Sequence, residues 1–95
     1  MALFVLHNTD KPNSLELRMA TRAAHLAYAA DFGDRIKLGG PLLDENGDMA
    51  GSLIIIDVDS IDEARKFSAG DPYAKAGLFG QIQITPFRMT LQNLA

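Results

Sequence analysis

Two short runs, "LFVL" at residues 3–6 and "LIII" at 53–56, constrain this chain more than any other feature. A strand sends alternate side chains to opposite faces of its sheet, and in both runs the two alternating sets are apolar. Strands of this kind are dry on both faces. The chain has 95 residues, however, the length of one small domain, and a single layer of helices covers only one face of a sheet. The other face needs a cover, and a second copy of the chain provides one with closed two-fold symmetry. The sequence therefore predicts a homodimer through the open sheet face.

The remaining elements fit that frame. Residues 2–7, "ALFVLH", read as a first strand, ended by the polar "NTDKPNS" with its Pro12. Ser14 offers an N-cap, and no Gly or Pro interrupts the chain from there until Gly33, which predicts one long helix. "RIKLGGPL" supplies a short strand broken at Gly39, Gly40 and Pro41, where the glycines let the chain turn out of it. "ENGD" then marks a turn into a third strand. Ser60 and Glu63 have capping-box spacing before a short helix through Phe67, and Asp71 with Pro72 opens a further helical turn. "QIQITPF" alternates as a last strand with one wet face, ended or made irregular by Pro86, and the tail from Arg88 reads as an arm. The order β-α-β-β-α-β over residues 1–95 predicts a single α+β domain. It is a ferredoxin-like sandwich with both helices on one face of a four-stranded antiparallel sheet. Phe32, Phe67 and Phe79 are expected in its core.

Composition removes several classes of function. Nine basic residues against twelve acidic ones, with no basic run, lack the footprint of a nucleic-acid binder, so a small-molecule ligand is expected instead. There is no Cys, and the two His have no carboxylate cluster at ligand spacing, so neither a metal site nor a cofactor is expected. The apolar "MALFVL" has no basic leader and is too short for a membrane span, which points to a cytoplasmic protein.

The candidate site lies on the long helix, "LRMATRAAHLAY". At about 100° per residue, Leu15, Met19, Ala23, Leu26 and Ala30 form one stripe, expected to pack on the sheet, with Ala20, Ala24, Ala27 and Asp31 facing outward. Arg18, Arg22, His25 and Ala29 form the stripe beside it, at the edge of the buried surface where clefts are lined. Such a row also serves as plain boundary cover, with long arginine stems over apolar surface and their heads in water.

That row, together with "GGP" at 39–41, the Gly51–Ser52 pair before the apolar strand and "DPYAKAGL" at 71–78, resembles the YCII-related (YciI-like) family of small dimeric α+β barrel proteins. The resemblance runs across nearly the whole chain. It implies that Asp71, in the Asp-Pro-Tyr motif, comes toward His25 to form a His/Asp centre, the family's proposed active site. One characterised relative is a dehydrochlorinase of a chlorinated hydroxyquinol. His7 stands where the resemblance leads one to expect another residue type, so the resemblance assigns it no role.

The chemistry of the residues agrees with that pairing. A histidine exchanges protons near neutral pH, and a carboxylate fixes its tautomer and stabilises the imidazolium. Asp71 has a second expected role, capping the backbone amides of residues 73 and 74. Arg18 and Arg22 suit a substrate oxyanion, with Arg22 favoured as nearer the core stripe, while Ser52 and Tyr73 serve as polar lining and cap of a pocket. Ser52 has no neighbouring base and no nucleophile-elbow motif, which argues against nucleophilic catalysis. Two functions are expected on these grounds. One is acid–base elimination or isomerisation of a small phenolic, quinol or keto-acid substrate by His25 and Asp71. The other is a non-catalytic domain that binds a small anion in the same cleft.

Overall fold

In the computed structural model, which describes residues 2–93, the first strand, β1 (Leu3–Asp10), runs three residues past the expected 2–7. Asn8 and Thr9 continue the ladder opposite Ser52 and Gly51, so the polar "NTD" belongs to the sheet, and the loop begins only at Lys11. After β1 come α1 (Leu15–Ala30), a single 3₁₀ turn (Gly33–Arg35), β2 (Ile36–Leu43), β3 (Met49–Asp57), α2 (Ile61–Gly70), α3 (Pro72–Lys75) and β4 (Phe79–Phe87). The strands form one antiparallel sheet in the order β2-β3-β1-β4, which is the ferredoxin-like arrangement the element order predicts.

Local chemistry explains most boundaries. Ser60 caps α2 by accepting the Glu63 amide at 3.3 Å, and Asp71 caps α3 by accepting the Tyr73 amide at 2.9 Å, with Pro72 at the first helical position. Of the two amides expected for Asp71, it takes that of residue 73. The β2–β3 turn is closed by Asp44, whose Oδ1 accepts from the amides of Asn46 and Asp48, and by Gly47 at φ +84°. Ser14 occupies the N-cap position of α1 but makes no side-chain cap; its hydroxyl donates to the Pro12 carbonyl instead. α2 extends three residues beyond Phe67, and β4 starts two residues before "QIQITPF".

Two expectations are corrected. Gly39, Gly40 and Pro41 do not break the second strand, because β2 runs straight through them with no positive φ at either glycine. β2 is an edge strand, where a proline without an N–H is tolerated. Pro86 likewise sits inside β4, the other edge strand, opposite Phe4.

The second correction concerns the face α1 turns inward. The stripe expected on the sheet is exposed, with Met19 at 53% and Leu26 at 47%, while Arg18 is 2% exposed and Thr21, His25, Tyr28 and Ala29 are half-buried. Three polar anchors under the helix set this rotation: Arg18 on Asp10 and Ser52, His25 on Asp71, and the Tyr28 hydroxyl on the Phe67 carbonyl at 2.8 Å. Tyr28 and Phe32 then pack on Phe67 at ring separations of 5.3 and 4.6 Å. They flank the main core of Phe4, Leu6, Ile54, Ile56, Val58, Ala64 and Phe67, while Tyr73, Leu78 and Phe79 form a smaller cluster under α3.

Phe4 and Leu6 lie on the helix side, so their alternates Val5 and His7 lie on the other. There Val5, Leu38, Leu42 and Leu53 remain half-exposed, and His7 bonds Gln83 at 3.1 Å. Residues 88–93 of the expected arm carry no regular structure, and the rest of that arm lies outside the described residues. Among the described residues no helix is long and apolar enough to cross a membrane.

Candidate functional site

β1 brings the first polar group to the site. Along its helix-side face the sequence reads Phe4, Leu6, Asn8, Asp10, so the strand turns polar as it passes beneath α1, and a ladder irregularity falls between Thr9 and Asp10. Arg18, one turn into α1, meets Asp10 with two parallel bonds, Nε to Oδ2 at 2.7 Å and Nη2 to Oδ1 at 3.0 Å. Nη2 also donates to Ser52 Oγ at 2.8 Å. Burial works against the Arg18 charge, but Asp10, with a smaller contribution from Tyr73, holds its pKa above the ordinary arginine value. An ion pair this enclosed is sensitive to the loss of one partner, which strands a buried charge at a cost of about 3–5 kcal/mol.

Two turns further along α1, His25 faces the α2–α3 junction. Its Nδ1 donates to Asp71 Oδ1 at 2.9 Å, and the same oxygen accepts the Tyr73 amide at 2.9 Å. One carboxylate oxygen therefore holds both the imidazole and the start of α3. The side chain of Asp71 is 2% exposed and that of His25 12%. The His25 ring lies on Tyr73 with centroids 4.1 Å apart and planes within 18°, and Arg18 Cζ is 4.5 Å from the centroid of the same tyrosine. Gly70, just ahead of Asp71, has no room for a side chain, because a Cβ there would stand 2.5 Å from the Tyr28 hydroxyl. That packing brings the α2–α3 junction close against α1.

These groups share a small cleft of about 160 Å³ between α1 and the β2–β3 hairpin. Its polar lining is Arg18, Arg22, His25, Ser52 and Tyr73, and its apolar wall includes Leu26, Ile36, Pro41, Met49 and Ile54. With Nδ1 committed to Asp71, Nε2 is the ring nitrogen left for the cleft. Burial pushes the Tyr73 hydroxyl up, opposed by Arg18 and Arg22 and reinforced by Asp71.

All six residues singled out in the sequence are thus gathered at one place: His25 and Asp71 in contact, Ser52 on Arg18, Tyr73 under both Arg18 and His25, and Arg22 at the cleft. The order of the arginines is reversed from the expectation. Arg18 is the buried one, with Nε and Nη2 held internally, and Arg22 is exposed. Asp10 and Asn8 were missed, because Pro12 made their segment read as loop; the continued alternation Phe4-Leu6-Asn8-Asp10 is the signal that reveals them. Asn8 is 2% exposed, and its Oδ1 has no hydrogen-bond partner among the described residues. Among the described residues no three His, Cys, Asp or Glu side chains gather as a metal site.

Known proteins resemble this chain to different degrees. The family model for the YCII-related domain matches residues 2–88. Protein YciI of Escherichia coli O6:H1 is 34% identical over 94 residues, covering 90% of this chain and 96% of that protein. Among solved structures, 5-chloro-2-hydroxyhydroquinone dehydrochlorinase (TftG) from Burkholderia phenoliruptrix AC1100, in complex with 2,5-dihydroxybenzoquinone, superposes with a TM-score of 0.85. It is 37% identical, and the match covers 90% of this chain and 93% of that one. An antibiotic biosynthesis monooxygenase shares only the fold, with a TM-score of 0.59 and 8% identity over 96% of this chain and all of that one.

Proposed function

The chain belongs to the YCII-related domain family, and on that premise we propose that its cleft performs acid–base elimination or isomerisation on a small oxygenated ring, such as a hydroquinone, or on a keto acid. The observation that carries this reading is the 2.9 Å contact between His25 Nδ1 and the buried Asp71 carboxylate, at the wall of a largely apolar cleft. The aspartate holds the proton on Nδ1, so Nε2 presents a lone pair. His25 Nε2 takes a proton from a substrate hydroxyl, Asp71 stabilises the imidazolium, and the ring returns the proton to a neighbouring carbon. Where the carbon that receives the proton carries a halide, loss of a second, conjugated hydroxyl proton pushes electrons through the ring, breaks that carbon–halogen bond and expels the halide as the anion. The net change is loss of HX, and no oxidant is consumed.

Arg22 is the cation placed to hold an oxyanion of the substrate, Ser52 lines the cleft beside it, and Tyr73 supplies a flat wall. The substrate of the structural neighbour supports the hydroquinone class. A second copy over the open sheet face belongs to the same reading, supported by the apolar set Val5, Leu38, Leu42 and Leu53. One observation favours the second function, a domain that only binds a small anion: Arg22 is exposed and lines the cleft.

A panel of chlorinated hydroxyhydroquinones and keto acids, followed by chloride release and by solvent deuterium entering the carbon skeleton, separates the two. General acid–base groups contribute typically ~10²–10⁴-fold, so His25→Ala is expected to lose about that much turnover while keeping ligand affinity, and Arg22→Ala to lose affinity. Unchanged turnover in His25→Ala removes the catalytic role.

A further inference from the structure

We propose that Asp10 is a positioning residue of this site, acting through Arg18 on Tyr73 and so on the plane of the His25 ring; the inference rests on the reading of His25 as the proton-transfer group. The contacts run outward from β1. Asp10 engages both Nε and Nη2 of Arg18, at 2.7 and 3.0 Å, and a planar fork held at two points has one orientation left to it. The bond from Nη2 to Ser52, at 2.8 Å, ties the same guanidinium to β3. So fixed, Arg18 lies with Cζ 4.5 Å from the Tyr73 ring centroid, and His25 stacks on that ring at 4.1 Å.

Asp71 alone does not define the imidazole plane. A single hydrogen bond at Nδ1 fixes a point about which the ring can pivot, and a pivot there swings Nε2 across the cleft. The stack on Tyr73 supplies the missing constraint, and Tyr73 is in turn held against Arg18 and anchored at its amide by Asp71. Without Asp10 the guanidinium loses its counter-charge and two of its bonds, turns toward water, and releases the tyrosine face. A salt link serving stability alone requires none of these aromatic contacts.

The test reads the stack directly. The Tyr73 ring current moves the His25 Hε1 and Hδ2 resonances upfield from those of an unstacked histidine. Two variants are compared with wild type, Asp10→Asn and the double variant Asp10→Asn/Arg18→Met. The double variant carries no unpaired buried charge and so keeps the test decisive if the single variant unfolds. In whichever variants fold, the His25 ring protons are expected to shift back toward unstacked values. A misplacement of about 1 Å at a reacting group costs up to ~10²-fold, so kcat on a turned-over hydroquinone is expected to fall by about ten- to a hundredfold with KM little changed. Folded variants with wild-type His25 shifts would overturn the proposal and leave Asp10 a stabilising role only. The resonance measurement does not depend on turnover: a wild type inactive on every substrate sinks the proposed reaction, whereas unmoved resonances sink the positioning role.

Discussion

Arg18 and Arg22 stand one helical turn apart with the same side chain, and what separates them is the group each one meets. Asp10 and Ser52 lie under Arg18 and draw it into the protein, whereas Arg22 lines the open cleft. Helical spacing shows that two residues share a stripe, but it does not show which strand end the stripe will cross, so the sequence singled out both arginines but with their burial order reversed. Tyr73 gives a prediction at this scale. Burial raises its hydroxyl against the opposing pull of Arg18 and Arg22, so the folded chain keeps that proton where an unfolded tyrosine, ordinarily near about 10, has lost it. The folded state binds more protons in that window, so its stability is full below about pH 10 and falls as pH rises beyond it. Tyr28 is shifted in the same direction, first by burial and then by Asp71, so Tyr73→Phe removes part of the slope and leaves the rest. Urea midpoints between about pH 9 and 11 are expected to fall more steeply in wild type than in Tyr73→Phe. Equal slopes would contradict the assignment.

The strands and caps were legible because their signals are local. The doubly apolar runs at 3–6 and 53–56, the Ser60 and Asp71 caps and the "ENGD" turn each act within a few residues, and each is found where it was expected. The features that were not legible depend on distant partners. β1 extends through Asn8–Asp10 because β3 and β4 continue beside it, and α1 turns its apolar stripe outward because three polar anchors lie beneath it. The glycines at 39 and 40 read as punctuation, yet they stand inside a strand on the cleft wall, where a Cβ on Gly39 would come within 3.2 Å of Ile54 Cγ1. Gly51 gives the element-scale prediction. It sits in β3 where any Cβ would meet the backbone carbonyl oxygen of Asn8, and backbone in a central strand has little freedom to move aside. Gly51→Ala is therefore expected to cost about 1–3 kcal/mol, seen as a lower thermal midpoint with the Asn8 and Ser52 amide resonances displaced. A midpoint equal to wild type would mean that the β1–β3 register yields more easily than the ladder implies.

At the scale of the molecule, one layer of helices covers one face of the sheet and leaves Val5, Leu38, Leu42 and Leu53 half-exposed on the other. The doubly apolar alternation of β1 and β3 is thus half explained within one chain, and the proposed second copy would cover the rest. Light scattering is expected to give twice the mass of the chain, and a charge at the centre of that face, as in Leu53→Asp, is expected to give monomers with an intact fold. A dimer that survives the substitution would place the contact elsewhere. The cleft opens on the helix side of the sheet, and the proposed chemistry depends above all on Asp71 fixing His25 with Nε2 free. The position of the imidazole proton measures this directly. Long-range ¹H–¹⁵N spectra of the neutral ring are expected to place the proton on Nδ1 in wild type and to show that preference lost in Asp71→Ala. A wild-type His25 that carries its proton on Nε2 would contradict the account, since the nitrogen assigned to proton transfer would then have no lone pair to offer.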